Sequence, residues 1–539
     1  MKKIVYILIG MCLGIFGCIN DETTGPHLEI SEISTTLEDS LIFIESTASL
    51  NLDAGNFIVQ TDPNCTLEYL WSAGKITGWN ETSKFYNVDS LSVLSHEQVL
   101  NYKFKELGKY LLRLKVVNEY TAHIQYIVVN VSSGFDEGIV LFSKDETGNG
   151  MFSYLNSPKG IDTLLKMKPE NFKYVTGEDD PYLNEDICDF IFYSGNMGYP
   201  DYGAQLLFLL SRKNKQAYRV NEYTLNTLPS DMFKFSKTPE CLTMHWHSGN
   251  TRTVFDLFAF TEDGDVLSYC TKYQTEIPRA AFADIHHWDR YSVGGARMSG
   301  DSKQCGDILW LYNDESSTLY GMWANDLQKS SIPSRQVNDV IGPVTFEGQE
   351  IINVSYALSY RWGMMMATLH DIYIITREKQ NPLKTHMHVY FSVAWGSNFI
   401  DGYQYADYSN DLNEGEELSI QKGAKILPFH ERQAKFYHNG KKLFVWGQLQ
   451  HVPLASAVHG KYTFDVKKLN PNAEIVDFNL YVGKKDGKHY VLIATYDPTS
   501  TSDKKGSVYV VEAADLSNVV AKYENVAYKP LKIYYKNNQ

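Results

Sequence analysis

The residues best suited to chemistry in this chain come in small groups. His245 and His247 flank Trp246, and His386 and His388 repeat that spacing around Met387. On a strand each pair shares a face, as two imidazole ligands of a transition metal would need to. Neither pair has a third ligand close in sequence, so histidines bonded to backbone or solvent are the plainer expectation. Six carboxylates crowd one stretch, Glu178, Asp179, Asp180, Glu185, Asp186 and Asp189. Hard oxygens of this kind suit calcium, but their spacing matches no calcium loop, and a solvated loop is the default. His96-Glu97 and His430-Glu431 begin like a zinc-protease helix, yet Leu100 and Ala434 stand where the second histidine belongs. There is no G-x-S-x-G elbow, Walker loop or dinucleotide fingerprint. The expectation is therefore no catalytic residue, no metal and no cofactor, although an active site built from distant carboxylates would leave no spacing signal.

Aromatic residues in stretches that read as loops are more informative. Trp395 and Phe399 run into Tyr403, Tyr405 and Tyr408, with Asp401, Asp407 and Asn410 interleaved; a second stretch carries Tyr193, Tyr199 and Tyr202 with Asn196 and Asp201. Flat rings beside amide and carboxylate groups suit the grip of a glycan or a peptide, because stacking supplies area while polar groups fix orientation. The plain alternative is that these rings pack a long loop onto the body.

The elements that must position such groups are strands. The 539 residues hold material for two or three domains, and 43% hydrophobic with 13% aromatic content is ample for large cores. A formal net charge of -14 without a basic stripe argues against nucleic acid, which needs clustered lysine and arginine. Leu67, Tyr69 and Trp71 alternate at period two, as do Tyr110, Leu112, Leu114 and Val116, with Arg113 and Lys115 pointing the other way. Phe104, Gly108 and Tyr110 make an F-x-x-x-G-x-Y corner. After Ser132-Ser133-Gly134, a short linker, there is little helical periodicity. Seven hairpins follow, centred on Gly138 to Tyr154, Gly203 to Val220, Phe255 to Tyr269, Asp307 to Met322, Tyr356 to Ile375, Ala434 to Trp446 and Leu480 to Tyr496. Asn439-Gly440 and Asp486-Gly487 are strong turn signals, since primed turns need positive φ. Central strands such as Leu206-Leu207-Phe208-Leu209-Leu210 are apolar throughout, as strands covered on both faces must be. The pattern predicts an all-β chain whose body, residues 134–539, is a seven-bladed β-propeller, with Ser507 to Val511 pairing near Ile139 to Phe142 to close the ring.

At the start of the chain Lys2 and Lys3 precede an apolar run from Ile4 to Phe16, too short to span a bilayer, which takes about 20 apolar residues. Ile15 and Gly17, three and one residues before Cys18, resemble the lipobox of bacterial lipoproteins. That resemblance implies a signal peptide over residues 1–18, a diacylglycerol on Cys18 and anchoring to the outer membrane. Asp21 and Glu22 after Asn20 resemble the surface-export tag of Bacteroidetes lipoproteins, and residues 19–28 read as a tether. With Cys12 in the signal, Cys65, Cys188, Cys241, Cys270 and Cys305 remain; five cannot all pair, none stand at CxxC spacing, and buried free thiols are expected.

Residues 29–133 resemble a divergent PKD-like domain, an immunoglobulin-like β-sandwich, on Leu67-Glu68-Tyr69-Leu70-Trp71 and on Phe104 through Asn118. The whole arrangement is similar to the PKD-like lipoproteins that accompany SusC- and SusD-type transporters. It implies an accessory cell-surface protein that captures a glycan or peptide nutrient for that transporter. A surface hydrolase or lyase, or a purely structural subunit of the transporter complex, are the alternatives.

Overall fold

The computed structural model describes residues 30–536 apart from 38–40, 47, 81–84, 158–159, 195–204, 247–254, 262–265, 271–274, 279–289, 296–306, 314–316, 324–339, 360–368, 383, 393, 396–397, 400–402, 408–424, 430–433, 447–462 and 483–487, with the backbone alone at some strand positions. Two compact units divide the chain, Met1–Gly134 and Phe135–Gln539. Both are built of strands, and among the described residues the α-helices are one-turn pieces, Ile161–Leu164 and Val466–Leu469. Among the described residues no helix is long and apolar enough to cross a membrane.

In the first unit Glu68–Asn80 pairs with Gly108–Val117, which pairs in turn with Ala122–Ser132, while Leu41–Glu45 adds in parallel beyond it. Phe85–Val88 and Ser92–Ser95 pair with Glu68–Asn80 from the other side. Period-two alternation decides the faces. Trp71, Leu112, Leu114, Val116, Ile127 and Val129 are buried in one cluster with Leu50 and Leu100 of a smaller two-stranded sheet. The Trp71 indole N–H donates to the Glu97 carbonyl at 2.9 Å, so this fully buried side chain has its one polar atom satisfied. The expected corner is present. Gly108 has φ +138°, a conformation a side chain would strain, and the Tyr110 hydroxyl donates to the Glu106 carbonyl at 3.0 Å.

In the second unit the described residues form seven four-stranded antiparallel sheets, and each of the seven hairpins read from the sequence lies in a different one. Taking the sheets in order from the one that holds Gly138–Lys144, one edge strand of each is Lys529–Lys536, Ile187–Ser194, Pro239–Trp246, Arg290–Gly295, Gln349–Ser359, Ile426–Phe429 and Glu474–Val482. Each of these touches the next, and the last touches the first, so the contacts run in a closed circle. The architecture is propeller-like, with these as the inner strands.

The all-apolar central strands follow from that arrangement. In the second sheet Leu207 and Leu209 pack toward the first sheet, against Val140, Phe142 and Phe152, while Leu206, Phe208 and Leu210 pack toward the third, against Leu242, Leu257 and Ala259. Ile139 and Leu141 of the first sheet meet Leu492, Ala494 and Val508 of the seventh, whose Val491 and Ile493 meet Phe436 and Leu443 of the sixth. Alternate residues therefore serve different neighbours, and each fully buried leucine or phenylalanine contributes roughly 1.5–3 kcal/mol. The Asn439-Gly440 turn forms as its sequence dictates, with Gly440 at φ +86° and the Asn439 Oδ1 accepting from the Lys441 and Lys442 N–H groups.

The ring closes differently from the sequence expectation. Ser507 to Val511 belong to Gly506–Glu512, flanked by His489–Tyr496 and Asp515–Ala527 in the seventh sheet. The partner of Gly138–Lys144 is instead Lys529–Lys536, from Gly138 opposite Lys536 to Lys144 opposite Lys529. The chain beyond Val511 explains this: it supplies one strand to complete the seventh sheet and a second to complete the first.

Candidate functional site

In five of the seven sheets the pairing of the inner strand skips one residue, a β-bulge that bends the strand and re-aims its side chains. The residues just past the skip are Lys532, Asp189, Cys241, Asn353 and Asp477. The sequence reading counted Asp189 in an acidic loop and Cys241 among the free thiols, and passed over Lys532, Asn353 and Asp477. The signal was there as a recurrence, Ile187-Cys188-Asp189-Phe190 and Ile475-Val476-Asp477-Phe478, with Ile351-Ile352-Asn353-Val354 close to it.

Four charges of alternating sign come from four successive sheets around the ring: Lys425 at the start of the sixth, Asp477 in the seventh, Lys532 in the first and Asp189 in the second. The Lys425 Nζ lies 2.9 Å from Asp477 Oδ1, and the Lys532 Nζ lies 3.8 Å from Asp189 Oδ1. The carboxylates are sunk, at 5% and 8% side-chain exposure, whereas Lys425 and Lys532 keep 25% and 36%. Rings of Phe478 and Tyr534 flank Lys425, each 5.6 Å from its Nζ. Burial draws the Lys425 ammonium below the ordinary lysine range, with Asp477 pulling the other way. Asp189 holds Lys532 above that range, while burial lifts the Asp189 carboxyl itself against the pull of Lys532 and its N–H donors. His438 nearby is pushed down by burial.

The second carboxylate oxygens are committed to the backbone. Asp477 Oδ2 accepts from the Ile533 N–H at 2.8 Å, tying the seventh sheet to the first; Asp189 Oδ2 accepts from the Leu242 N–H at 3.0 Å, tying the second to the third. Asp189 Oδ1 also accepts from the Phe190 N–H at 2.9 Å. Paired charges with their lone pairs engaged are arranged to hold inner strands in register rather than to move a proton.

The other sequence candidates fall in separate places. Trp395 and Phe399 lie in the short paired strands Ala394–Trp395 and Asn398–Phe399, and Tyr403 and Tyr405 lie in Tyr403–Asp407, the outermost strand of the fifth sheet. This stretch, read as a loop, is thus largely strand: tyrosine favours strands, and Gln404 and Asp407 are tolerated because an outer strand needs little apolar cover. Tyr193 lies in the inner strand of the second sheet, opposite Leu206, so the two aromatic stretches belong to different sheets. Cys18, Asp21, Glu22, Tyr199, Tyr202 and Tyr408 lie outside the described residues.

The buried histidines His386 and His388 are engaged by their neighbours. His386 Nε2 is 2.9 Å from Glu378 Oε1, and His388 Nε2 is 3.0 Å from Thr376 Oγ1 and 3.1 Å from Gln349 Oε1. Among the described residues no three histidine, cysteine or acidic side chains converge as a metal site would require. The six crowded carboxylates disperse as well. Asp180 caps Pro181–Asn184 and accepts from the Thr227 N–H at 2.6 Å, Asp186 pairs with Lys144 at 3.1 Å, and Glu185 accepts from the Tyr218 hydroxyl. The Cys188 thiol donates to the Leu210 carbonyl at 3.4 Å, and burial pushes it up to about 12, which makes it inert.

No family model and no curated protein matches the chain. Solved structures similar to it include a quinoprotein alcohol dehydrogenase-like protein of Bacteroides thetaiotaomicron, at 11% identity and TM-score 0.39 over 94% of this chain and 100% of that one. A DUF4784 family protein of Bacteroides caccae is similar at 10% identity and TM-score 0.25, over 94% and 99%. The WD40 domain of Toxoplasma gondii coronin is similar at 12% and 0.34, over 71% and 85%.

Proposed function

We propose that the chain is a lipoprotein held at the outer membrane through Cys18, exported to the cell surface by Asp21 and Glu22, and that it serves as an accessory glycan- or peptide-binding subunit of a SusC/SusD-type uptake system. In this reading the first unit is a PKD-like, immunoglobulin-like sandwich, supported by its core tryptophan and its tyrosine corner. The seven sheets are seven blades, supported by the closed circle of inner strands. The observation that carries the binding role is the state of the ring's charges. Lys425, Asp477, Lys532 and Asp189 are spent on each other and on the backbone, so the body acts as a rigid frame. Recognition then falls to aromatic residues such as Trp395 and Phe399 in the short paired strands and Tyr403 and Tyr405 in the outer strand of the fifth sheet. Anchoring near a transporter raises the effective concentration of such a binder, so modest affinity suffices.

The test is calorimetric titration of the full chain with a panel of neutral glycans and peptides, with chromatography of each ligand after incubation. Saturable heat, an intact ligand and a loss of roughly three- to tenfold in affinity in Trp395→Ala or Tyr403→Ala are expected, the worth of one stacked ring. Shortened product would assign a hydrolase or lyase instead. Silence with every ligand, together with co-purification of a transporter, would leave a structural role.

A further inference from the structure

Ten of the twelve exposed large apolar side chains among the described residues lie in the first unit. Four of them share the outer face of its largest sheet. Cross-strand pairing fixes the rows: Tyr126 stands opposite Arg113, Arg113 opposite Ser72, and Ser72 opposite Val93; in the next row Ile124 stands opposite Lys115, and Lys115 opposite Leu70. Leu41 stands opposite Val128 further along. Val93, Leu41, Ile124 and Tyr126 are 59%, 51%, 45% and 43% exposed.

Amid these apolar groups sit two cations, Arg113 and Lys115, and a third, the exposed Lys109, stands on the same face at its end, opposite Asn130. Among the described residues neither Arg113 nor Lys115 has a carboxylate within ion-pair reach, on a chain whose formal net charge is -14. The acids on this face, Glu45 and Glu68, stand at its ends, opposite Ser132 and Val117. Arg113 is not loose: its Nε donates to Ser72 Oγ at 3.1 Å, which lays the guanidinium along the sheet and leaves its two terminal nitrogens to fork a carboxylate. Two residues further along the same strand, about 7 Å away, Lys115 offers a second positive charge.

We propose that this face binds an extended acidic polysaccharide, a polyuronate. Arg113 and Lys115 take successive carboxylates, the Tyr126 ring beside Arg113 takes the C–H face of a pyranose, and Ile124 and Val93 form the apolar floor. Charge complementarity selects an anion, and the flat face selects an extended chain. A peptide would be expected to add along a strand edge, whereas these groups stand on the face. A second copy docked by two-fold symmetry would set the Arg113 and Lys115 of each face close to those of the other. An anionic bilayer would call for cations at the rim of an apolar patch, and here they occupy its centre. The proposal rests on the glycan arm of the binding role above, but at a different site, independent of Trp395 and Tyr403.

The experiment is affinity electrophoresis of the full chain through gels containing polygalacturonate, dextran or poly-L-glutamate, with sedimentation against phosphatidylglycerol vesicles. Retardation by polygalacturonate alone is expected, weakening as salt rises. The double variant R113Q/K115Q should lose roughly tenfold to hundredfold in affinity, as the removal of charge-assisted hydrogen bonds implies. Arg113→Lys should fall between, with melting preserved in all. No retardation by polygalacturonate, or equal retardation of R113Q/K115Q, would overturn the proposal. Equal binding of poly-L-glutamate or of vesicles would overturn it in favour of an acidic peptide or a lipid surface. Loss in Trp395→Ala with R113Q/K115Q unaffected would move the glycan to the short strands that hold Trp395, keeping the binding role and removing this site.

Discussion

Single residues in this protein work mainly by where their charge is buried. Lys536, the last residue of the closing strand, is 1% exposed, with its ammonium donating to the Phe135 and Glu222 carbonyls. Burial lowers it from 10.5 to about 8. The sign follows from proton counting. Between pH 8 and 10.5 the folded lysine is neutral while the unfolded one still binds a proton, so stability rises with pH across that window. The gain approaches about 3 kcal/mol, because each tenfold difference in proton affinity between the two states is worth about 1.36 kcal/mol. Denaturant midpoints of the wild type should therefore rise between about pH 7 and pH 9.5, and Lys536→Met should flatten that rise. Above about pH 10 the trend reverses, since burial raises Tyr523 and Tyr535 in the folded state and only the unfolded chain ionises them easily. Asp477 gives a second prediction at this scale. Asp477→Ala leaves the Lys425 ammonium and the Ile533 N–H without their acceptors and should cost about 3–5 kcal/mol. Asp477→Asn keeps an acceptor for the N–H and should cost less, and adding Lys425→Met should recover part of the loss, as a double-mutant cycle would read.

Elements carry the ring. Gly138–Lys144 would be left with an open edge if Lys529–Lys536 were absent, and the first sheet would lose the strand that brings Lys532 to the centre. Deletion of residues 529–539 should therefore abolish cooperative melting of the second unit and promote aggregation through that edge, while the Trp71 core of the first unit still melts separately. If the truncated chain melts like the wild type, the closing role of this strand is wrong. Hairpins were legible in the sequence because each needs only local information: alternation, and turn residues such as Asn439-Gly440 with its positive φ. Closure was not, because Ser507-Val508-Tyr509-Val510-Val511 and Lys529 through Lys536 are both plausible strands, and only long-range pairing tells them apart. Bulges hid Asp189 and Asp477 for a related reason. A single skipped residue breaks the period-two rule, so a charged residue inside an apolar strand looked like part of an acidic loop or went unnoticed. Tyr403 and Tyr405 were misplaced in a loop because an outer strand shows weaker alternation than a central one.

At the scale of the whole molecule, two strand-built units carry a formal charge of -14, and in the proposed reading they form the body that holds a ligand. The proposed address of that body depends on its first eighteen residues. Mass spectrometry of the mature protein from the membrane fraction, joined to protease treatment of intact cells, tests it most directly. The account predicts a diacylglycerol-modified Cys18 as the first residue, loss of membrane association in Cys18→Ala, and digestion of the second unit from outside unbroken cells. An unmodified Cys18 on a freely soluble periplasmic protein, shielded from protease until the cells are opened, would contradict it.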